Sequence, residues 1–280
     1  MAVDKLVDSA QLDTDLTAVA NAIRTKGGTS ASLTFPNGFV DAIDDIETGG
    51  GTDYLAQATN NTLTSYSSDA VTAVRASAFS GVTALQRISL PNATMINASA
   101  FANCTNLSSV EIPSVTNILP NAFNNCSALT SIDLKSVTLI GSSGFAFSAL
   151  TVLCAPNAKV RTQVSRNNIH LTTVDILAGA ANDAGTTMGI SAYTFQSNTA
   201  LTTLILRSTD FCKLDNISAF TDTPFASGGS GGTLYVSSAL VSQYTQATNW
   251  STILGYTNNQ ILPIEGSIYE TQYADGTPIT

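Results

Sequence analysis

A chain of 280 residues that is 44% hydrophobic but only 11% charged must cover its surface largely with neutral Ser, Thr and Asn, a balance suited to an extracellular or virion structural protein. Its formal net charge of −9, from 11 Lys and Arg against 20 Asp and Glu with no basic cluster, repels phosphate backbones and argues against nucleic-acid binding. No run of 18 apolar residues exists, so neither a transmembrane helix nor membrane insertion is expected.

Residues 1–47 read as a small helical module for attachment or oligomerisation. Leu12, Leu16, Val19, Ala20 and Ile23 follow the 3, 4 and 7 spacing of one helical face, with Asp13 and Asp15 near its start. Gly27-Gly28 stops this helix, an extended piece around Leu33-Thr34-Phe35 follows, and Pro36 opens a second helix with Phe39, Ile43 and Ile46 on its apolar face. Two short helices bury too little area to stand alone, so the module is expected to dock on a partner or on copies of itself. Leu12, Leu16, Ile23, Phe35, Phe39 and Ile43 are its candidate attachment residues. Asp4, Asp8, Asp13 and Asp15 also leave the first 20 residues without a basic region, and no continuous apolar stretch is present there, so no secretory signal is expected. Lys26-Gly27-Gly28-Thr29 lacks the residue order and preceding strand of a phosphate-binding loop, and its glycines read as a helix cap. Residues 48–69, with Gly49-Gly50-Gly51, read as a linker and N-terminal cap.

A repeat dominates residues 70–232. The phrase Leu-x-x-apolar-x-apolar starts at Leu85, Leu107, Leu129, Leu150, Leu171 and Leu201, with first steps of 22, 22, 21 and 21 residues. That period is too short for a domain and right for one turn of a solenoid, so the expected fold is mainly β, with short parallel strands stacked coil on coil. Period-2 alternation turns Ile88 and Leu90 inward and Ser89 outward. An Ala-Phe pair precedes the Leu by six residues at Phe79, Phe101 and Phe123 and reads as a short helical or turn element that fills the core from the opposite wall. The spacing is lost after Phe147, taken as the next member of the Phe column, where a distorted coil is expected. A Gly- and Ala-rich insertion over residues 179–189 accounts for the 30-residue step to Leu201. Residues 233–265 read as a C-terminal cap, in which Tyr244 and Trp250 seal the core, and residues 266–280 as a tail.

The units Ala-Phe, then Asn-Cys, then Leu-x-x-Ile-x-Leu-Pro resemble the BspA-like leucine-rich repeat family of bacterial and phage surface proteins, over residues 70–236. Ala20-Asn-Ala-Ile23-Arg24 with Lys26-Gly-Gly-Thr29, followed by Leu33-x-Phe35-Pro36-x-x-Phe39-x-x-Ala42-Ile43, is similar to the start of many tail proteins from phages and prophages of Gram-positive bacteria. Together these resemblances imply a phage tail or tail-fibre structural protein, located in the virion tail and assembled in the host cytoplasm. They also imply partners: other tail or baseplate proteins through residues 1–47, sister chains in a homo-oligomer such as a trimer, and a glycan or protein of the host surface. A bacterial cell-surface adhesin and, more remotely, a cell-wall hydrolase are the alternatives.

Chemistry-bearing residues are sparse. His170 lies five residues from both Ser165 and Asp175, but no nucleophile elbow accompanies them, so a polar surface histidine is expected and no enzyme. Cys104, Cys126, Cys154 and Cys212 lack zinc spacings, and Cys104 and Cys126, 22 residues apart in matching phrases, read as buried thiols in adjacent coils. No calcium loop is present, and no metal or cofactor is expected. Glu111, Asp133 and Asp175 occupy the outward strand position and are expected to form an exposed acidic stripe, a candidate binding surface. Aromatic residues suited to sugars, Tyr193 foremost and then Tyr235, Tyr244, Trp250, Tyr256 and Tyr269, lie toward the C-terminal half.

Overall fold

The computed structural model describes residues 61–180, 189–256 and 258–279. The module of residues 1–47, with Leu12, Leu16, Ile23, Phe35, Phe39 and Ile43, lies outside them, as do residues 48–60 and most of the 179–189 insertion.

Each early coil contributes two strands and one turn segment. The Leu-x-x-apolar phrase forms the first wall, in β1 (Ser65–Ser67), β3 (Arg87–Ser89) and β5 (Ser109–Glu111). A second wall, not anticipated from the sequence, is made by β2 (Ala73–Val74), β4 (Met95–Ile96), β6 (Asn117–Ile118) and β7 (Leu139–Ile140). Its inward residues Val74, Ile96, Ile118 and Ile140 recur every 22 residues and are at most 4% exposed, so a second apolar column was present in the chain. A tight corner around Pro91, Pro113 and Lys135 separates the walls, closed by Ala93, Val115 and Val137 N–H donating three residues back.

The walls merge where the chain was expected to be irregular. β8 (Val152–Val160) and β9 (Thr173–Gly179) run through the corner as single long strands, with a bulge between Ala155 and Lys159. The coil after Phe147 is therefore continuous sheet. β11 (Thr203–Leu206), β13 (Thr233–Val236) and β14 (Gln260–Pro263) extend the first wall, while β10 (Gly189–Ile190) and β12 (Lys213–Leu214) pair separately. Among the described residues the strands form three sheets of three, two and nine strands, and every pairing between these strands is parallel.

Leu85, Leu107, Leu129, Leu150, Leu171 and Leu201 are fully buried, and Leu63, 22 residues before Leu85, begins the column one coil earlier. Phe79, Phe101, Phe123 and Phe145 stack face to face at 5.2 to 5.3 Å, with interplanar angles of 1 to 11°. Phe145, rather than Phe147, is thus the fourth member, and Phe147 is 46% exposed.

The turn segments explain this shift of two residues. Two left-handed positions recur along the coils, one at Ser77, Ser99, Asn121, Ser143, Gln163 and Tyr193, the other at Gly81, Asn103, Asn125, Phe147, Asn167, Ser197 and Asp222. Short polar side chains tolerate positive φ best, which suits most members of both columns. Phe147 takes a place held in the other coils by Gly, Asn, Ser or Asp, so its ring cannot enter the core. Ser165 stands in the Phe column one coil later, where its hydroxyl accepts from Asn198 Nδ2 at 3.1 Å.

Beneath the Phe column the thiols lie in register. Cys104 Sγ donates to the Phe79 carbonyl at 3.0 Å and Cys126 Sγ to that of Phe101 at 3.2 Å, and all four cysteines are free and buried. Asn168 holds the same place later in the chain and donates to the Phe145 carbonyl at 2.9 Å. At the far end α1 (Val241–Gln246) and α2 (Trp250–Leu254) carry Tyr244 and Trp250, which are buried. Cys212 N–H donates to the Tyr244 hydroxyl at 3.1 Å, and Trp250 Nε1 donates to the Cys212 carbonyl at 2.8 Å.

Candidate functional site

The outward positions of the first wall form one register row. Ser67, Ser89 and Glu111 are aligned in the early coils, and Cys154, Asp175, Ile205, Tyr235 and Leu262 in the later ones. Asp133 occupies the equivalent place between them. Glu111 and Asp133 are exposed, as the stripe requires, and Glu111 Oε2 accepts from the Ser89 hydroxyl at 2.8 Å.

Asp175 is fully buried, which corrects its expected place in an exposed stripe. Residues 264–279 fold back from β14 across the row as a strap. Arg207 Nε and Nη2 grip the Asp175 carboxylate at 2.6 and 2.7 Å, and Ala274 N–H donates to it at 2.9 Å. The same guanidinium donates to the carbonyls of Tyr269 and Gln272 at 3.0 and 3.1 Å and lies 5.0 Å from the Tyr273 ring. A desolvated carboxylate requires such a partner, because an isolated buried charge is strongly unfavourable. Period 2 placed Arg207 beyond Ile205 on the outward face, so the cation was legible, but nothing local announced the strap.

The strap ends in a tight hairpin, where Tyr273 N–H bonds the Thr277 carbonyl at 2.8 Å and Gly276 adopts φ of 84°. Its tip brings Asp275 to Lys135 Nζ at 2.6 Å, a contact across 140 residues of chain. Partial burial works against both charges. The hydrogen bonds and mutual attraction prevail, so the Lys135 ammonium is raised above its ordinary pKa and the Asp275 carboxyl held below its own. Cys154 lies beneath this tip, where burial pushes its thiol up to about 12.

At the free end of the strap the first wall is interrupted. Residues 131–134 belong to no strand, although β5 precedes them and β8 follows. Asp133 Oδ1 accepts from Lys135 N–H at 3.1 Å, a local bond that turns the chain out of the ladder. An open cleft of about 500 Å³ results. Hydroxyls of Ser109, Thr130, Ser131 and Thr151 line it, its aliphatic surface comes from Val110, Ile132 and Val152, and Asp133, Lys135 and Asp275 stand at one end.

The remaining sequence candidates are dispersed. Tyr193 is 45% exposed at a left-handed turn position, away from the strand row that holds Glu111 and Asp133. Tyr235 packs edge to face at 4.8 Å against Tyr269 of the strap, both half-buried, and Tyr244 and Trp250 are buried in the cap, which removes the last two from the expected sugar-binding aromatics. His170 is exposed, Ser165 is buried against Asn198 and Asp175 is engaged by Arg207, so these three are not brought together. Among the described residues no group of three or more His, Cys, Asp or Glu is placed to hold a metal ion, and no helix is long and apolar enough to cross a membrane.

No curated protein matches this chain. Among solved structures it is similar to a leucine-rich repeat protein of T. pallidum, with 24% identity, a TM-score of 0.44 and coverage of 51% of this chain and 69% of that one. It is also similar to a leucine-rich repeat protein from Bacteroides ovatus ATCC 8483, with 19% identity, a TM-score of 0.43 and coverage of 59% of this chain and 49% of that one. Residues 56–176 match, in six copies, the family described as BspA type Leucine rich repeat region, and over those residues the chain carries a repeat region of that type.

Proposed function

We propose that this chain is a non-enzymatic attachment protein of a phage tail or tail fibre, whose repeat region presents the uncovered part of its first wall to a host surface. The division of the strand row is the observation that supports this most. A strap buries the row at Cys154, Asp175 and Ile205, while Glu111, Asp133 and the cleft beside them stay open to solvent. A wall that served only to close the core would need no such division. Residues 1–47 attach the chain to tail or baseplate proteins or to sister chains, as their resemblance to tail-protein N-termini suggests. The protein then resides in the virion tail, assembled in the host cytoplasm as a homo-oligomer such as a trimer.

Deleting residues 1–47 tests the reading. The truncated chain should keep its β circular-dichroism signal and disappear from purified particles. Unchanged particle content would overturn the attachment role of residues 1–47, and absence of the full chain from particles would overturn the tail assignment and leave a bacterial surface adhesin as the reading to pursue.

A further inference from the structure

We propose that the cleft beside residues 131–134 binds a short saccharide, neutral or amine-bearing rather than acidic. This deepens the attachment reading and rests on it for the biological source of the sugar.

Three features converge on that ligand. The cleft volume of about 500 Å³ falls within the range of roughly 300–1,000 Å³ common to small-ligand sites. Its lining mixes hydroxyls, which both donate and accept, with branched aliphatic side chains, matching a pyranose that presents hydroxyls at its rim and C–H groups on its faces. Ser131, Ile132 and Asp133 sit outside the ladder, so their backbone groups face the cleft or water instead of a neighbouring strand.

Charge selects among sugars. Lys135, the cation among the described residues that line the cleft, is already engaged by Asp275 and Asp133, at 2.6 and 3.3 Å, so two carboxylates stand against it. The Asp133 side chain is 71% exposed and its carboxylate is open to a sugar hydroxyl or amine. With a chain charge of −9 behind it, the site disfavours sialylated, uronic or phosphate-bearing glycans. The strap contributes the end wall, since Asp275 reaches the cleft only because the hairpin is anchored at Arg207 and Lys135. No aromatic ring lines the cleft, so each site binds weakly, and several copies on one particle supply avidity.

The test uses the full chain on an array of immobilised neutral, amine-bearing and acidic glycans, followed by calorimetric titration with the best free mono- or disaccharide. Thr130→Trp fills the cleft from an exposed position, Asp133→Asn removes the carboxylate, and Thr116→Trp on the second wall is the control. Neutral or amine-bearing glycans should bind, with at least tenfold loss in Thr130→Trp, several-fold loss in Asp133→Asn and none in Thr116→Trp. Preference for acidic glycans, no binding at all, or full binding by Thr130→Trp would overturn the site. Adhesion to bacterial cells that survives Thr130→Trp would keep the attachment reading and sink the cleft. Glycan binding by a chain that never enters particles would do the reverse.

Discussion

Asp175→Ala probes the strap more directly than any other single change. The substitution removes a fully buried carboxylate that accepts three hydrogen bonds at 2.6, 2.7 and 2.9 Å. It strands a guanidinium on a side chain only 13% exposed, with the Tyr269 and Gln272 carbonyls as its remaining acceptors. Breaking one side of a buried pair costs about 3–5 kcal/mol when the survivor stays desolvated. The hairpin can limit that loss by peeling off and letting Arg207 hydrate, in which case the cost is capped at the free energy of local detachment. Either route has a signature. Global unfolding in urea reports the first, and thiol labelling at Cys154 reports the second, because Asp275 covers that sulfur. With its pKa pushed up to about 12, Cys154 holds very little thiolate at pH 8. Release toward the ordinary value near 8.5 would raise its labelling by roughly 10³-fold. Cys104, Cys126 and Cys212 lie in the core and serve as internal controls. Asp133→Ala, at a side chain 71% exposed, should change neither readout by more than about 0.5 kcal/mol or its equivalent. A loss below about 1 kcal/mol in Asp175→Ala together with unchanged Cys154 labelling would refute the strap as a clasp.

Phe101→Ala should cost about 3–5 kcal/mol by urea titration, since it opens a cavity between rings stacked at 5.2 and 5.3 Å, whereas Glu111→Ala should cost well under 1. Equal losses would contradict the assigned faces. Phe147→Asn should raise stability by about 0.5–1 kcal/mol, because it relieves a bulky side chain at φ of 58° and removes an exposed ring from solvent; a lower melting temperature would show the ring to be packed. Asp275 has a depressed folded-state pKa, so its contribution is present above the unfolded value near 3.9 and lost as pH falls through the folded one. Strap protection of Cys154, followed by hydrogen exchange or by a thiol reagent active in acid, should hold from neutrality to about pH 4 and fall below it; protection that fades between pH 7 and 5 would assign the anchor to another group.

Most of the repeat was legible because its signal is periodic and local. The Leu column and the Phe79, Phe101 and Phe123 series each place one apolar side chain per coil, and stacking identical coils then aligns them. The second wall was equally periodic in Val74, Ile96, Ile118 and Ile140, but its strands are only two residues long, too short for an alternation to stand out. Phe147 was misplaced for a different reason. Two Phe residues lie two positions apart at 145 and 147, and only backbone conformation decides which ring enters the core. Glu111 and Asp133 were correctly read as outward and exposed. Asp175 shares their strand position, and its outward direction was right while its solvent exposure was not.

By itself the sequence determined the coil: its length, its buried columns, its thiols in register and the end sealed by Tyr244 and Trp250, all of them interactions between residues in one coil or the next. Tertiary structure alone decided which part of the outward row meets solvent. Asp275 reaches Lys135 across 140 residues, and no periodicity encodes a contact made once. The same row of side chains is thus open surface at Glu111 and Asp133 and interior at Asp175, because burial depends on what folds over a face as well as on the direction in which the face points.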